Sequence, residues 1–448
     1  MMKKLISRGF IFTILTITIS SATAQTINEF TVKQAVDYAV KNSIQVRNAL
    51  LDIKIQEQTN REIAAAAYPQ INSNISLNDY LVIPTTLVPA SFGGGAPGDY
   101  IPFKFGTKYS SSAGVDLSQL VFDGQLFVGL KARKSALQFS ARQAEVTAEM
   151  IKVNVQKIYY QLVVGRQQLS SITANISRFE KLLNDTKEIY KNGFAEKLDV
   201  DKVSVQLNNL LTEKLKIENQ LEAGNAGIKF LMNMPQKEIL ILKDTLSEDQ
   251  LKDNLLDTTY QYANRKEFQL LEVGLSLAKY NIKRYKLSYL PTLAIFGSYS
   301  KNAQRREFDF FKTGSGNPWF TTALIGLKLS VPIFDGFAKA ARVSKARLEL
   351  EKATNNLEQL KSSIDNDVVQ ATLKITSALA TMDNQRRNMQ LAEQVFNTTK
   401  KKYEQGLGSN QEIYNAQTEL KVAQNNYYSA LYDAIIAKID FQKAAGTL

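Results

Sequence analysis

The feature that most constrains this 448-residue chain is a heptad repeat in the proline-free stretch between Asp123 and Gly193. Apolar or small residues recur there at alternating steps of four and three, the spacing that makes α-helices supercoil around partner helices. At about 1.5 Å per residue, this helix would be roughly 100 Å long. The sequence therefore predicts a coiled-coil assembly with a seam formed by Leu137, Ala141, Ala144, Ala148, Ile151, Val155, Ile158, Leu162, Gly165, Leu169, Ile172, Ile176, Phe179 and Leu183.

The N-terminus has the pattern of a secretory signal peptide. A basic head, residues 1–8, precedes a short apolar run over residues 10–19, and Ala22-Thr23-Ala24 supplies a small-x-small cleavage site. The apolar run is too short to span a membrane. We predict that residues 1–24 are a signal peptide and that the mature protein leaves the cytoplasm.

The composition argues against an enzyme. The chain has no cysteine and no histidine, so it lacks disulfides, thiol nucleophiles, the usual general base and the commonest metal ligand. A Gly93-x-Gly95-x-x-Gly98 pattern lies in a proline-containing loop, which is the wrong context for dinucleotide binding. We predict no enzymatic activity, no metal and no cofactor. The net charge of +12 comes from Lys and Arg dispersed among Glu and Asp, so we also predict no nucleic-acid partner.

After Pro69 the hydrophobic period changes from 3.6 to 2. Four segments have this alternation, at about 70–82, 107–120, 291–300 and 320–333, and each predicts a β-strand. In the first, Ile71, Ile75 and Leu77 alternate with Asn and Ser, which gives one mainly apolar face and one polar, uncharged face. Residues 84–106 contain several prolines and glycines and are predicted to be a loop.

Matching motifs recur at nearly constant separation in the two halves. Pro69 and Pro291 are 222 residues apart, the Phe-Asp-Gly motifs at 122–124 and 334–336 are 212 apart, and the Tyr-x-x-Gly turns at 190–193 and 403–406 are 213 apart. This pattern indicates an internal duplication. We predict a first repeat at 25–232, an insertion of short elements at 233–262 and a second repeat at 263–448. The two hairpin tips should lie near 190–198 and 403–411.

The predicted strands have the length of membrane β-strands, and no segment resembles a transmembrane helix. An open four-stranded sheet leaves unpaired backbone groups at its edges, so it cannot span a bilayer without strands from other chains. A soluble antiparallel sheet packed on one side is the alternative that the alternation alone would favour. The predicted signal peptide, the duplication and the long helices favour the membrane interpretation.

At this point the sequence resembles the TolC-like outer-membrane efflux proteins, the outer-membrane factors of tripartite export systems. The motifs that carry the resemblance are Val331-Pro332-Ile333-Phe334-Asp335-Gly336, its partial copy at 119–124, the two Tyr-x-x-Gly turns and the C-terminal Ala445-Gly446-Thr447-Leu448. The resemblance implies a homotrimer in which four strands per chain form a twelve-stranded outer-membrane β-barrel. The barrel would continue into a periplasmic α-barrel of long coiled-coil helices with a mixed belt, where residues 233–262 would lie.

The resemblance also implies a function and a location. The chain would be a passive duct in the outer membrane of a Gram-negative bacterium, carrying small molecules or drugs to the exterior. Its partners would be a periplasmic adaptor protein, an inner-membrane RND or ABC/MFS transporter, and outer-membrane lipid. The same channel serving type I, ABC-driven protein or peptide secretion is the close alternative. A periplasmic coiled-coil scaffold without a pore is an alternative of a different class.

Three groups of candidate residues follow from the resemblance, and two of them also have a plainer structural explanation. The tips would dock the adaptor, although glycine at a helix C-terminus is also ordinary capping chemistry. Acidic residues after the tips would narrow the periplasmic aperture, although an acid near a helix N-terminus is favourable by itself. Asn415 stands where the family often has a second carboxylate. The tip residues are Tyr190, Gly193, Phe194, Tyr403, Gly406, Leu407 and Gly408; the aperture residues are Asp199, Glu412 and Asn415; the strand-to-helix junctions are Phe122, Asp123, Gly124, Pro332, Phe334, Asp335 and Gly336.

Overall fold

The structure is a computed structural model that describes residues 27–94, 96–244, 260–312 and 318–448. The predicted signal peptide lies outside these residues, and so does the part of the predicted insertion between 245 and 259.

Two long helical hairpins dominate the fold. In the first, α3 (Gly124–Lys191) turns into α4 (Lys197–Met232), and in the second, α6 (Ala338–Glu404) turns into α7 (Asn410–Ala445). The shorter helices are α1 (Val32–Asn42), α2 (Ile44–Ala65) and α5 (Lys266–Leu287). With 68 residues, α3 is about 100 Å long, the length that the heptads predict. Among the described residues, no helix combines the length and the apolar character needed to cross a membrane.

The predicted heptad seam of α3 is one of two buried faces. Seam residues such as Ile172, Ile176 and Phe179 pack against Val203 and Leu210 of α4. At mid-length α3 buries a second face, because it also lies against the other hairpin. Val153 and Val164 contact Met382 of α6 and the α7 residues Leu431 and Ile435. A heptad repeat describes one apolar stripe of a helix and therefore predicts packing against one neighbouring helix. It does not reveal the second interface of α3.

Four strands form one antiparallel sheet, in the order β2 (Gln70–Asp79), β5 (Tyr109–Phe122), β7 (Thr292–Arg305) and β8 (Phe320–Ser330). The register places Ile71 opposite Leu117, Leu117 opposite Gly297 and Gly297 opposite Ile325. Odd-numbered residues of all four strands therefore share one face, which we call the apolar face. The opposite, polar face carries Asn and Ser in the first repeat, and in the second it also carries Phe296 and Leu324.

The prediction that residues 84–106 form a loop is wrong. They contain a β-hairpin made of β3 (Thr85–Pro89) and β4 (Tyr100–Lys104), in which Leu87 lies opposite Pro102. A two-stranded ribbon has an unpaired edge on both sides, so proline, which has no N–H to donate, is tolerated there. The strand limits also differ, because β7 continues to Arg305 and β8 ends at Ser330.

The first described residues pair with the end of the first repeat. Strand β1 (Ile27–Phe30) lies parallel to β6 (Ile239–Leu242). Beside this pair the hydroxyl of Tyr159, a fully buried residue of α3, donates a hydrogen bond of 2.9 Å to the Phe30 carbonyl. This small sheet therefore packs beside the middle of the long helix.

Candidate docking tips and channel entrance

The first hairpin tip is a glycine-terminated helix end. After α3, Gly193 adopts a φ of +80°, and its N–H donates to the Tyr190 carbonyl at 2.9 Å. The N–H of Phe194 donates to the Ile189 carbonyl at 3.0 Å. These two bonds satisfy the last carbonyls of the helix in the Schellman arrangement, and glycine adopts the left-handed conformation without the steric cost of a Cβ.

The second tip repeats this geometry 213 residues later. Gly406 has a φ of +74° and donates to the Tyr403 carbonyl at 2.9 Å, while Leu407 donates to the Lys402 carbonyl at 2.9 Å. Gly408 follows in the same turn, where a Cβ would lie 3.2 Å from the backbone nitrogen of Tyr403. The duplication therefore extends to the individual hydrogen bonds of the tips.

Each turn presents an apolar side chain outward. The residue after the glycine in a Schellman turn usually packs back on its helix. Here Phe194 is 86% exposed and Leu407 is 77% exposed, so neither does so. Tyr190 is also exposed, whereas Tyr403 packs against the apolar cluster that contains Phe396.

The predicted aperture residues lie in the first turns of α4 and α7. Asp199 and Glu412 occupy the same helical position, three residues after the N-caps Glu196 and Ser409. The Glu196 N–H donates to Asp199 Oδ2 at 3.4 Å, and the Glu412 N–H donates to Ser409 Oγ at 3.2 Å. Both acids thus have the capping environment of a helix N-terminus, and the Glu412 side chain is exposed.

Asn415 lies one turn beyond Glu412, on an exposed part of α7. Its Oδ1 accepts a hydrogen bond of 2.9 Å from Gln411 Nε2. Gln411 also connects the two repeats, because its Oε1 accepts a bond of 3.4 Å from Lys202 of α4. Near the tips, the hydrogen bond between Lys202 and Gln411 therefore joins the two hairpins laterally.

A buried amide network connects the two hairpins above the tips. Asn175 of α3 donates to Gln424 Oε1 at 2.8 Å and accepts from Gln417 Nε2 at 3.3 Å, with both of the latter residues on α7. Asn175 and Gln417 are 2% and 1% exposed. On the neighbouring turns, Glu213 of α4 forms an ion pair with Lys421 and accepts a hydrogen bond of 2.8 Å from Asn425. A polar seam of this kind breaks when the hairpins separate.

An open cleft of about 410 Å³ lies between the two hairpins near the tips. Phe179, Leu182 and Ile189 line it from α3, and Phe396 and Ile413 line it from the second hairpin. Of these apolar side chains, Leu182 and Ile189 are half-buried and Phe179, Phe396 and Ile413 are buried, so the cleft has an apolar floor close to the exposed tip residues.

The two Phe-Asp-Gly junctions differ in structure despite their matching sequence. Asp123 is the N-cap of α3, since its Oδ1 accepts from the Gln125 N–H at 2.7 Å, and Gly124 allows close approach to Leu287 of α5. In the second repeat α6 begins only at Ala338.

Two left-handed residues change the second junction. Gly336 and Phe337 have φ values of +63° and +66°, and Asp335 Oδ2 accepts instead from the Lys339 N–H at 2.9 Å. Pro332 and Phe334 are exposed in the connection before them, and Phe122 is exposed at the end of β5.

Comparisons with known proteins agree with this architecture. The family model described as outer membrane efflux protein matches residues 261–447. The outer membrane protein TolC of Vibrio cholerae is 21% identical over 339 residues, which cover 75% of this chain and 77% of that protein. A crystal structure of CusC superimposes with a TM-score of 0.73 at 17% identity, covering 93% of this chain and 92% of that chain. Together these similarities support a TolC-like outer-membrane factor.

This outer-membrane factor is an efflux channel located in the outer membrane, with a large periplasmic helical portion. Closing a barrel from four strands per chain requires strands from other chains, and the homologues imply trimeric channels that work with export systems. The family consists of channel proteins rather than enzymes. Within the part of the chain that the structure describes, no group of three His, Cys, Asp or Glu residues could hold a metal ion.

Secretion proteins are also among the relatives. The alkaline protease secretion protein AprF of Pseudomonas aeruginosa is 21% identical to this outer-membrane factor, covering 77% of the chain and 72% of that protein.

Sequence analysis missed the buried amide network of this outer-membrane factor. Asn175 lies beside the seam residue Ile176 but off the seam itself, at a position where a polar residue is ordinary, so the heptad pattern carries no signal for it. Its partners Gln417 and Gln424 are more than 240 residues away in the sequence, so no local pattern pairs them.

Proposed function

We propose that this outer-membrane factor is a passive trimeric duct whose two hairpin tips dock a periplasmic adaptor, and that an inner-membrane RND or ABC/MFS transporter delivers the cargo. The exposure of Phe194 and Leu407 carries this proposal. Both side chains project from turns held by two backbone hydrogen bonds each, so they reach the periplasm in a defined geometry. A trimer would present six such apolar side chains around its entrance, a surface suited to apolar residues of a partner.

The tips can be tested without disturbing the channel itself. The double variant Phe194→Ser with Leu407→Ser removes the apolar side chains and leaves both glycine turns in place. In a strain that lacks the native channel, we expect this variant to be as drug-sensitive as the strain without any channel. Its trimer level and its single-channel conductance in a planar bilayer should equal those of the wild type.

The matched control is Phe92→Ser, which removes an aromatic side chain that is 87% exposed in the turn between β3 and β4, at the other end of the molecule. This control should export normally. Normal drug resistance in the double tip variant would refute docking through these residues, and lost conductance would show that the substitutions damage the duct.

For the entrance, we propose that three Glu412 side chains, one per protomer, form a single charged ring. Asp199 has the equivalent helical position in the first repeat, and Asn415 places a neutral amide where a second carboxylate would strengthen the ring. The ring would favour cations but hold them weakly.

The favoured cargo is small molecules or drugs, and protein secretion is the second candidate because AprF is among the relatives. A strain from which the gene for this channel is deleted distinguishes small-molecule export from protein secretion. Retention of a fluorescent efflux dye with an unchanged set of proteins in the medium would support small-molecule export. Loss of specific proteins from the medium with normal dye efflux would support secretion.

A further inference from the structure

The outer end of the sheet is the end remote from the helices. Helix α3 follows the last residue of β5, and α5 precedes the first residue of β7, so both helices join the sheet at one end. The opposite end contains the start of β5, the end of β7 and the start of β8. In an outer-membrane channel with a periplasmic helical portion, this end faces the outer leaflet.

The segment after β7 folds back onto the apolar face at this outer end. Ala303 and Arg305 belong to the apolar face and are only 1% and 5% exposed, although they end a strand. Phe310 packs on Arg305, with the guanidinium 5.9 Å from its ring centre. Arg305 also forms an ion pair with Asp309, with Nε and Oδ1 3.3 Å apart. The segment is thus anchored on the side of the sheet that faces away from the channel.

Several aromatic rings lie close to the contact of Arg305 with Asp309 and Phe310. Phe308 contacts Tyr109 edge-on at 5.9 Å between ring centres, and Phe310 lies 6.3 Å from Trp319. Phe311 is almost fully exposed beside them. Trp and Tyr concentrate where a membrane meets water, since one side of each ring is apolar and the other polar.

The position of the cluster fits that boundary. From Leu329 on β8 to Trp319 there are ten residues, about 33 Å along a strand. With the usual strand tilt of about 40°, this corresponds to roughly 25 Å across the membrane, the height of the apolar band of an outer-membrane barrel. The cluster therefore lies at the level of the outer headgroups.

Three exposed cations lie at the same end of the sheet as the aromatic cluster. Lys301 is exposed on the apolar face of β7, and Arg306 and Lys312 are exposed in the segment after it. None of the three forms an ion pair with another residue that the structure describes, whereas Asp309 is held by Arg305. Among the described residues 301–312, the acids are Glu307 and Asp309, and only Glu307 forms no ion pair. This arrangement carries an excess of positive charge at the headgroup level.

We propose that Lys301, Arg306 and Lys312, together with the exposed rings of Phe308 and Phe311, form a binding surface for the phosphate groups of the outer-leaflet glycolipid. The rings would contact the acyl chains near the headgroups, and the flexible cationic side chains would reach the phosphates above them. The outer leaflet of this membrane consists of a phosphorylated glycolipid, which supplies both groups. The inference rests on the outer-membrane location and does not depend on the tips or the cargo.

The test uses the purified trimer in an uncharged detergent. Lipid A, the same glycolipid without its phosphates, and phosphatidylglycerol are added separately, and the temperature of trimer dissociation is measured. We expect phosphorylated lipid A to raise this temperature by several degrees, and the other two lipids to have a much smaller effect.

The variant Lys301→Gln with Arg306→Gln and Lys312→Gln should lose most of that response. At about 1 kcal/mol for each cation near a charged lipid surface, its affinity for lipid A should fall roughly 100-fold. The charge-matched control changes Lys33, Lys41 and Lys54 to Gln, three exposed lysines of α1 and α2, and should respond like the wild type.

Three results would overturn the proposal: a full response of the triple variant, an equal response to dephosphorylated lipid A, or an equal response to phosphatidylglycerol. Because the three cations form no ion pairs, the variant trimer should be as stable as the wild type in the absence of lipid. If it is not, counting bound lipids by native mass spectrometry on assembled trimers decides the same question.

Discussion

A single substitution at the buried residue Asn175 should weaken the contact between the two hairpins. Its side chain donates to Gln424 at 2.8 Å and accepts from Gln417 at 3.3 Å and from Arg178 at 3.2 Å. Asn175→Leu keeps the branching at Cγ and the number of side-chain heavy atoms, and it removes all three bonds. The Gln417 amide then loses its partner in a position that water does not reach, since Gln417 is buried, and the half-buried Gln424 loses the donor to its Oε1.

The magnitude follows from the cost of unpaired polar groups. A buried donor or acceptor without a partner costs about 1–3 kcal/mol. The buried Gln417 Nε2 donor carries this cost in full and the half-buried Gln424 Oε1 acceptor adds less, so the contact between α3 and α7 is destabilised by roughly 2 kcal/mol. If the hairpins separate when the entrance opens, this cost applies to the closed state alone. A difference of about 2 kcal/mol shifts the equilibrium roughly 30-fold toward the open state.

The assay is single-channel recording in a planar bilayer. We expect Asn175→Leu to raise the mean conductance or the fraction of time spent open. The control is Asn209→Leu, which alters an exposed amide on α4 and should behave like the wild type. Trimer assembly is followed on unheated gels, so that a folding defect is recognised. Wild-type conductance in an assembled Asn175→Leu trimer would refute the conclusion that this network holds the entrance closed.

Two further predictions concern charged groups. Glu412→Gln should lower the preference of the reconstituted channel for cations over anions, while Glu57→Gln on α2 should leave it unchanged; equal selectivity in both would remove Glu412 from the entrance. Burial, reinforced by the nearby charge of Glu267, raises the pKa of Glu149 on α3. The Glu149 carboxyl group therefore keeps its proton to a higher pH in the folded state than in the unfolded state. The free energy of unfolding then falls as the pH rises above the pKa that Glu149 has in the unfolded chain. Glu149→Gln should therefore raise the melting temperature more at pH 8 than at pH 5, and an equal gain at both would contradict this reasoning.

The sequence by itself determined those features that depend on neighbours along the chain. Heptad steps predicted the length of α3, because a long helix needs a continuous apolar stripe and a stretch free of proline. The change of period after Pro69 located the strands, and the duplication of the Tyr-x-x-Gly turns located both tips. Glycine at 193 and 406 indicated the helix ends, because the left-handed turn there is a local backbone requirement.

Tertiary structure decided what depends on residues distant in the sequence. The second buried face of α3 exists because α7 lies beside it, and Asn175 gains Gln417 and Gln424 as partners only from that packing. The identical Phe-Asp-Gly motifs diverge because Gly124 meets α5, whereas nothing lies within 4 Å of a Cβ placed on Gly336. The burial of Arg305 follows from a segment folding back over a sheet face. The hydrophobic periodicity shows which side of a helix or strand is apolar. Which element packs against that side depends on the packing of all elements together, including those far apart in the chain.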